Sequence, residues 1–286
     1  MNRLSLQTYA NDVAYCASLP IDWNRLSHKT VAISGATGMI GTFLIDVLMH
    51  KNKHDNLDCT VLGIGRSAQR AKERFPYFEE EKFLFEEMDL GEGGACPKIY
   101  AHFVLHLASP THPRAYATEP ISTVASNVIG MMNLIDYADK AKASGFGFER
   151  FLLASSVEIY GENRGDVKYF TEEYCGYIDS NTLRASYPES KRLCESLCQA
   201  AIAQKQLDMV IARLPRTFGA TLLPSDSKAL SQFLHKAIDG EDIVLKSEGT
   251  QTYSYLHVCD AVAGMLYCLL SGECGGAYNI ADASCD

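Results

Sequence analysis

Tyr187 and Lys191 stand four residues apart in "RASYPESKRLCESL", and Ser156 closes the apolar stretch "FLLASSVEIYG". A phenol, an ammonium and a hydroxyl are together able to move one proton at an alcohol or carbonyl. A spacing of four puts Tyr187 and Lys191 on one helix face, and Pro188 falls in the first turn, where a missing N–H is tolerated. An unperturbed phenol titrates near ~10, so a tyrosine acting as a base at neutral pH needs a neighbouring positive charge to stabilise phenolate. Lys191 can supply that charge, and Ser156 can hydrogen-bond the oxygen that Tyr187 deprotonates or reprotonates. Tyr-x-x-x-Lys also occurs on ordinary surface helices, so its meaning depends on what lies upstream.

Upstream lies "TVAISGATGMIGTFLIDVL", residues 30–48, with Gly35, Gly38 and Gly41 at even spacing between an apolar strand pattern and a helical one. Strand, tight turn and helix are the setting in which such glycines bind a dinucleotide. Gly35 permits the turn, Gly38 lets backbone approach a pyrophosphate, and Gly41 lets helix and strand pack closely. Thr37, Met39 and Ile40 complete the loop, and the helix N-terminus supplies N–H groups and positive dipole. A hydride acceptor beside Ser156, Tyr187 and Lys191 makes the chemistry an oxidation or reduction. The next strand, "CTVLGIGRS", ends in Gly65 and Arg66, where an acidic residue would hold a ribose with two free hydroxyls. Arginine there suits a 2′-phosphate and favours NADP over NAD; the alternative is a solvated loop charge.

The elements that must position these groups are legible as an alternation. "TVAIS", "CTVLGIG", "KFLFEEMDL", "HFVLHLAS", "RFLLASS" and "MVIARLP" are strand candidates separated by stretches long enough for crossover helices, among them "ISTVASNVIGMMNLIDYADKA" and "SKRLCESLCQAAIAQK". This predicts an α/β fold, a Rossmann-type doubly wound parallel sheet covered on both faces, with a smaller C-terminal substrate-binding region. The expected divisions are a helical lead-in over 1–28, a dinucleotide-binding domain over 29–215 and a substrate-side region over 216–286. The last of these includes a helix around Ser231, a strand-like "DIVLK" and a terminal strand and loop in "AYNIADASCD", with the chain expected to be a fragment or to end early.

A formal net charge of −9 over 286 residues disfavours nonspecific nucleic-acid binding. No uninterrupted apolar run has the length of a membrane span or a signal-peptide core, so a cytoplasmic protein is expected. The ten cysteines are scattered without paired metal-ligand spacing, which predicts free buried thiols and no metal. Cys194 and Cys198 share a helix face but lack further ligands.

With these motifs in place, the chain from about Lys29 onward resembles an extended short-chain dehydrogenase/reductase of the NAD-dependent epimerase/dehydratase family, nearest the UDP-glucuronate decarboxylase and dTDP-glucose 4,6-dehydratase branch. The resemblance implies a tightly bound NAD or NADP, a nucleotide-sugar substrate oxidised transiently to a 4-keto sugar, and a homodimer built on the helices around Ile121 to Lys142 and Tyr187 to Lys205. It implies further cofactor contacts from Asp89 and Leu90 of "MDL", from Leu107, Ala108 and Ser109 of "HLAS", and from Asn127, Ala154 and Leu214. Ser109, Ser156, Glu158, Arg216, Gln232 and Tyr253 fall on the implied substrate side.

Three positions depart from the family's pattern. Dehydratases carry adjacent Asp and Glu where this chain has Val157 and Glu158; Glu158 can remove a proton beside a 4-ketone or order the site. "RLPRTFG" has Arg216 in place of Asn, and "GTQTYSYLHV" has Tyr253 in place of Arg. Arg216 can replace the lost charge on a diphosphate or a sugar carboxylate, or form a structural ion pair. Epimerase or dehydratase activity is the expectation; decarboxylation of a UDP-glucuronate-type sugar and NADPH-dependent carbonyl reduction are the alternatives.

Overall fold

The structure, a computed structural model, describes residues 2–110, 118–245, 248 and 253–281. The described residues form nine strands: β1 (Thr30–Ser34), β2 (Thr60–Gly65), β3 (Phe83–Glu87), β4 (Phe103–His106), β5 (Arg150–Ser156), β6 (Met209–Leu214), β7 (Arg216–Phe218), β8 (Tyr255–His257) and β9 (Ala277–Asn279). The helices are α1 (Gln7–Ser18), α2 (Met39–Asp55), α3 (Ala68–Arg74), α4 (Pro120–Ala143), α5 (Ser186–Lys205), α6 (Ala229–Asp239) and α7 (Val258–Ser271). Seven strands form one parallel sheet in the order β3-β2-β1-β4-β5-β6-β9, and β7 pairs with β8 in a separate parallel ribbon. The order reverses between β1 and β4, and ligands of such sheets bind at the crevice opened there.

The strand sequences read as continuous apolar runs because both faces are covered. Val31, Ile33, Phe103 and Leu105 pack toward α1, α2 and α7, whereas Ala32, Val104, Leu153 and Ile211 pack toward α4 and α5. All six expected strands and both long helices form. "DIVLK" does not form a strand in its described part: residues 242–245 are irregular, and Ile243, Val244 and Leu245 are 48, 67 and 59% exposed. They have no strand partner among the described residues, and an apolar run without one gains nothing from extension. The chain from residue 216 onward divides its contacts, with β7, β8 and α6 standing outside the main sheet while α7 packs on it and β9 joins its edge.

The lead-in is held by a buried carboxylate. Asp46 of α2, 1% exposed, accepts from Nε and Nη2 of Arg3 at 2.7 Å each and from the hydroxyls of Tyr9 and Tyr77. Burial, then the charge of Asp46, raises both phenols above the usual tyrosine range, so they stay protonated donors. The described cysteines are all free, and Cys175 and Cys274 are exposed rather than buried. Among the described residues no group of three or more potential ligands is arranged for a metal, and no helix is long and apolar enough to cross a membrane.

Candidate active site

The glycine turn sits where β1 hands over to α2. Gly35 has φ +71°, and a Cβ there would lie 2.8 Å from Ala108 N and 2.9 Å from Leu107 C, so neither conformation nor space admits another residue. A Cβ on Gly41 would approach Gly35 O to 2.4 Å, which fixes how closely α2 packs on the turn. Gly38 is the N-cap of α2 and offers no side-chain acceptor. The first amides of the helix, at Met39, Ile40 and Gly41, have no partner within it. A bare helix end beside a glycine cradle is a donor set that fits a pyrophosphate.

Around this turn stand the other expected dinucleotide contacts. Thr37 Oγ1 faces Gly65 at the end of β2, and Arg66 follows it, exposed. Asp89 accepts the Gly91 amide at 2.9 Å beyond the end of β3, and Leu90 is buried beside it. Leu107, Ala108 and Ser109 leave the end of β4 against Gly35. Ser109 Oγ donates to Asn127 Oδ1 at 2.7 Å, and Asn127 Nδ2 donates to Ser190 Oγ at 2.8 Å. Leu214 is the register partner of Ser156, closing the row at the end of β6.

Ser156, Tyr187 and Lys191 come together as the spacing predicts. All three are buried, at 8, 6 and 3% exposure, and the Tyr187 hydroxyl hydrogen-bonds with the side chains of Ser156 and Ser109. Lys191 Nζ donates to Ala154 O at 2.9 Å and lies 6.0 Å from the centroid of the Tyr187 ring. Burial raises the Tyr187 phenol to about 12, against the lowering effect of its two serine partners. Burial likewise holds Lys191 below the ordinary lysine range. The expected depression of the phenol is therefore not a property of the protein alone. Glu158, half-buried, is the second residue of the short 3-10 turn Val157–Tyr160, and its amide donates to Ser156 Oγ at 3.2 Å.

On the substrate side, Arg216 of β7 lies flat over Tyr253, its guanidinium carbon 3.3 Å from the ring centroid. The two departures from the family pattern thus pack on each other. Arg216 forms no ion pair among the described residues. It lines a cavity with Phe218, Leu222, Asp226, Lys228 and Ser231 at the N-terminus of α6, and the Ser231 hydroxyl, 1% exposed, has no hydrogen-bond partner among the described residues. Gln232 does not join them: it is exposed, and its amide donates to Ser227 O at 2.6 Å. Residues 111–113 of "HLASPTHP" and 249–252 of "GTQTYSYLHV" lie outside the described residues.

Ser34, His106 and Ser190 escaped the sequence reading. Ser190 follows Tyr187 by three on the same helix, a signal available in "YPESK"; Ser34 and His106 each end a strand, but only the sheet order makes them neighbours.

A model of the NAD dependent epimerase/dehydratase family matches residues 31–281. UDP-glucuronic acid decarboxylase 1 of Xenopus tropicalis is 30% identical over 240 residues, covering 83% of this chain and 53% of that one. UDP-glucuronic acid decarboxylase 6 of Arabidopsis thaliana is 31% identical over 260 residues, covering 89 and 69%. The chain therefore spans from about half to two thirds of the length of these curated relatives. Among solved structures, the Bordetella bronchiseptica enzyme WbmF in complex with NAD+ and UDP superposes with a TM-score of 0.72 at 19% identity, over 91% of this chain and 75% of that one.

Proposed function

Because the chain belongs to the NAD dependent epimerase/dehydratase family, we propose that it binds a nicotinamide dinucleotide at the β1–β4 crevice and oxidises a nucleotide sugar transiently to its 4-keto form. The carrying observation is the convergence of Ser109 and Ser156 on the Tyr187 hydroxyl, in a site walled by the Gly35 turn. When bound, the dinucleotide supplies the centre that accepts and returns hydride. Ser156 holds the sugar oxygen and Tyr187 moves its proton. Lys191, anchored on Ala154 O, brings the positive charge that favours phenolate. Glu158 is the group available to take a proton beside the ketone, and Val157 offers no acid for expelling a hydroxyl.

The anionic end of the substrate is assigned to Arg216, Ser231 and the α6 N-terminus, where a guanidinium, a buried hydroxyl without a partner among the described residues, and helix amides line one cavity with Asp226, whose charge Lys228 offsets at 3.6 Å. Decarboxylation of a UDP-glucuronate-type sugar is the second reading, favoured by the names of the relatives and by a cationic Arg216 able to meet a carboxylate. The exposed Arg66 favours NADP over NAD, whereas WbmF was solved with NAD+.

Mass spectrometry of ligands carried through purification should find a dinucleotide. Incubation with UDP-, dTDP-, CDP- and GDP-sugars, UDP-glucuronate included, should convert at least one, with carbon dioxide release marking the decarboxylase reading. Titration of NAD and NADP into wild type and Arg66→Ala reads the cofactor choice: a grip on the 2′-phosphate predicts a loss of about 1.5 to 3 kcal/mol for NADP alone. A protein that binds neither dinucleotide and converts none of these sugars would overturn the proposal.

A further inference from the structure

Ser34 ends β1, His106 ends β4, and the two are register partners in adjacent parallel strands. Both are buried, at 0 and 1% exposure, on the α4 side of the sheet. A Cβ on Gly130 of α4 would lie 3.7 Å from His106 Cε1, and the Phe151 ring stands edge-on to the imidazole at 6.4 Å. Ser34 Oγ lies 2.7 Å from His106 Nδ1 and 3.1 Å from the amide nitrogens of both Leu107 and Ala108. The Leu107 amide is shared with Ser34 O at 3.3 Å.

A hydroxyl has one proton and two lone pairs. Amide N–H groups can only donate, so Leu107 and Ala108 engage both lone pairs of Ser34 Oγ, and its proton is left for His106. Nδ1 must therefore be a bare acceptor, with the imidazole proton on Nε2. Burial, then the charge of Lys191, lowers the His106 pKa to about 3, which agrees with a neutral ring. Were Nδ1 to carry a proton, Ser34 Oγ would face three donors with two lone pairs, and the grip on one amide would be lost, leaving Leu107 only the longer bond to Ser34 O or Ala108 none from Ser34.

Those amides bear directly on the site. Leu107 and Ala108 are the wall against which Gly35 packs, and the next residue, Ser109, reaches Tyr187 and Asn127. We propose that His106 is a positioning residue of this site: its neutral Nδ1 orients Ser34, and Ser34 holds the Leu107 and Ala108 backbone in the place that shapes the dinucleotide cradle and aims Ser109. The inference rests on the dinucleotide reading of the site, and it adds the device that keeps the cradle in register.

The test has two arms. In protein labelled with 15N-histidine, NMR of wild type should show the His106 imidazole as the Nε2–H tautomer with Nδ1 unprotonated at neutral pH. Calorimetric titration of NAD and NADP compares His106→Leu, which removes the acceptor, with His106→Asn, whose Oδ1 takes the place of Nδ1. The Leu variant should bind about tenfold more weakly and the Asn variant within about threefold of wild type. His106→Leu should add little to the loss seen in Ser34→Ala, because both break one chain of bonds. A folded Leu variant that binds like wild type, or a proton found on Nδ1, overturns the proposal. Should the Leu variant not fold, the tautomer and the Asn variant decide. A wild type that binds neither dinucleotide removes the reading on which the role rests, and the role with it, whatever the tautomer.

Discussion

Burial raises the Tyr187 phenol to about 12. The group is thus a proton donor over the whole neutral range and becomes a base only as its phenolate is stabilised. The proposed oxidation begins with proton removal, so kcat/KM in that direction should rise with pH through neutrality rather than level off below pH ~7. A plateau there, in a profile measured with the converted sugar, would place the base elsewhere. Tyr187→Phe should lower turnover by more than about a hundredfold, because the phenol moves the proton, while leaving dinucleotide affinity nearly unchanged. Residual activity above roughly a tenth of wild type, a barrier change of only ~1.4 kcal/mol, would contradict the assignment. Lys191→Ala should damage both, since Nζ is tied to Ala154 O under the site.

The β1, turn and α2 unit is the element on which the site depends, and its weak point is Gly41. A methyl group there would stand 2.4 Å from Gly35 O and 3.0 Å from Ala36 Cα, both backbone atoms that cannot rotate away. Gly41→Ala should push α2 off the turn, so that affinity for the dinucleotide falls more than tenfold while circular dichroism still reports a folded sheet. Retention of wild-type affinity by calorimetry would show that the helix end does not touch the ligand. This unit was legible in the sequence because the glycines lie where a strand pattern gives way to a helical one. Ser156, Tyr187 and Lys191 were legible because the latter two share a helix and Ser156 ends a strand. What stayed hidden needed sheet order. Ser34 and His106 are 72 residues apart and meet only because β1 and β4 are neighbours. Arg216 meets Tyr253 because β7 pairs with β8. "DIVLK" shows the reverse failure, since an apolar run says nothing of whether a partner strand exists.

At the scale of the whole molecule, α4 and α5 lie side by side on one face and leave Ile121, Met132 and Leu193 at 84, 52 and 46% exposure. An apolar face of that kind on two adjacent helices suits a second copy meeting it as a four-helix bundle. Light scattering should therefore report a dimer at micromolar concentration, and Met132→Glu with Leu193→Glu should dissociate it; a monomeric wild type would remove the expectation. The opposite face joins distant parts of one chain. Cys16 of α1 touches Cys259 of α7, 243 residues away, with its thiol 3.8 Å from the Cys259 carbonyl. Part of the apolar side of α1 is covered by α2, which follows closely in sequence, through Tyr9 on Phe43 and Asp46, but the part that meets Cys259 waits for α7. Contacts so remote in sequence slow folding, because the loop they close must lose its freedom before the contact repays it. During synthesis, the strip of α1 and α2 that α7 covers therefore stays open longest, and it is the apolar surface on this face that a holding chaperone would meet.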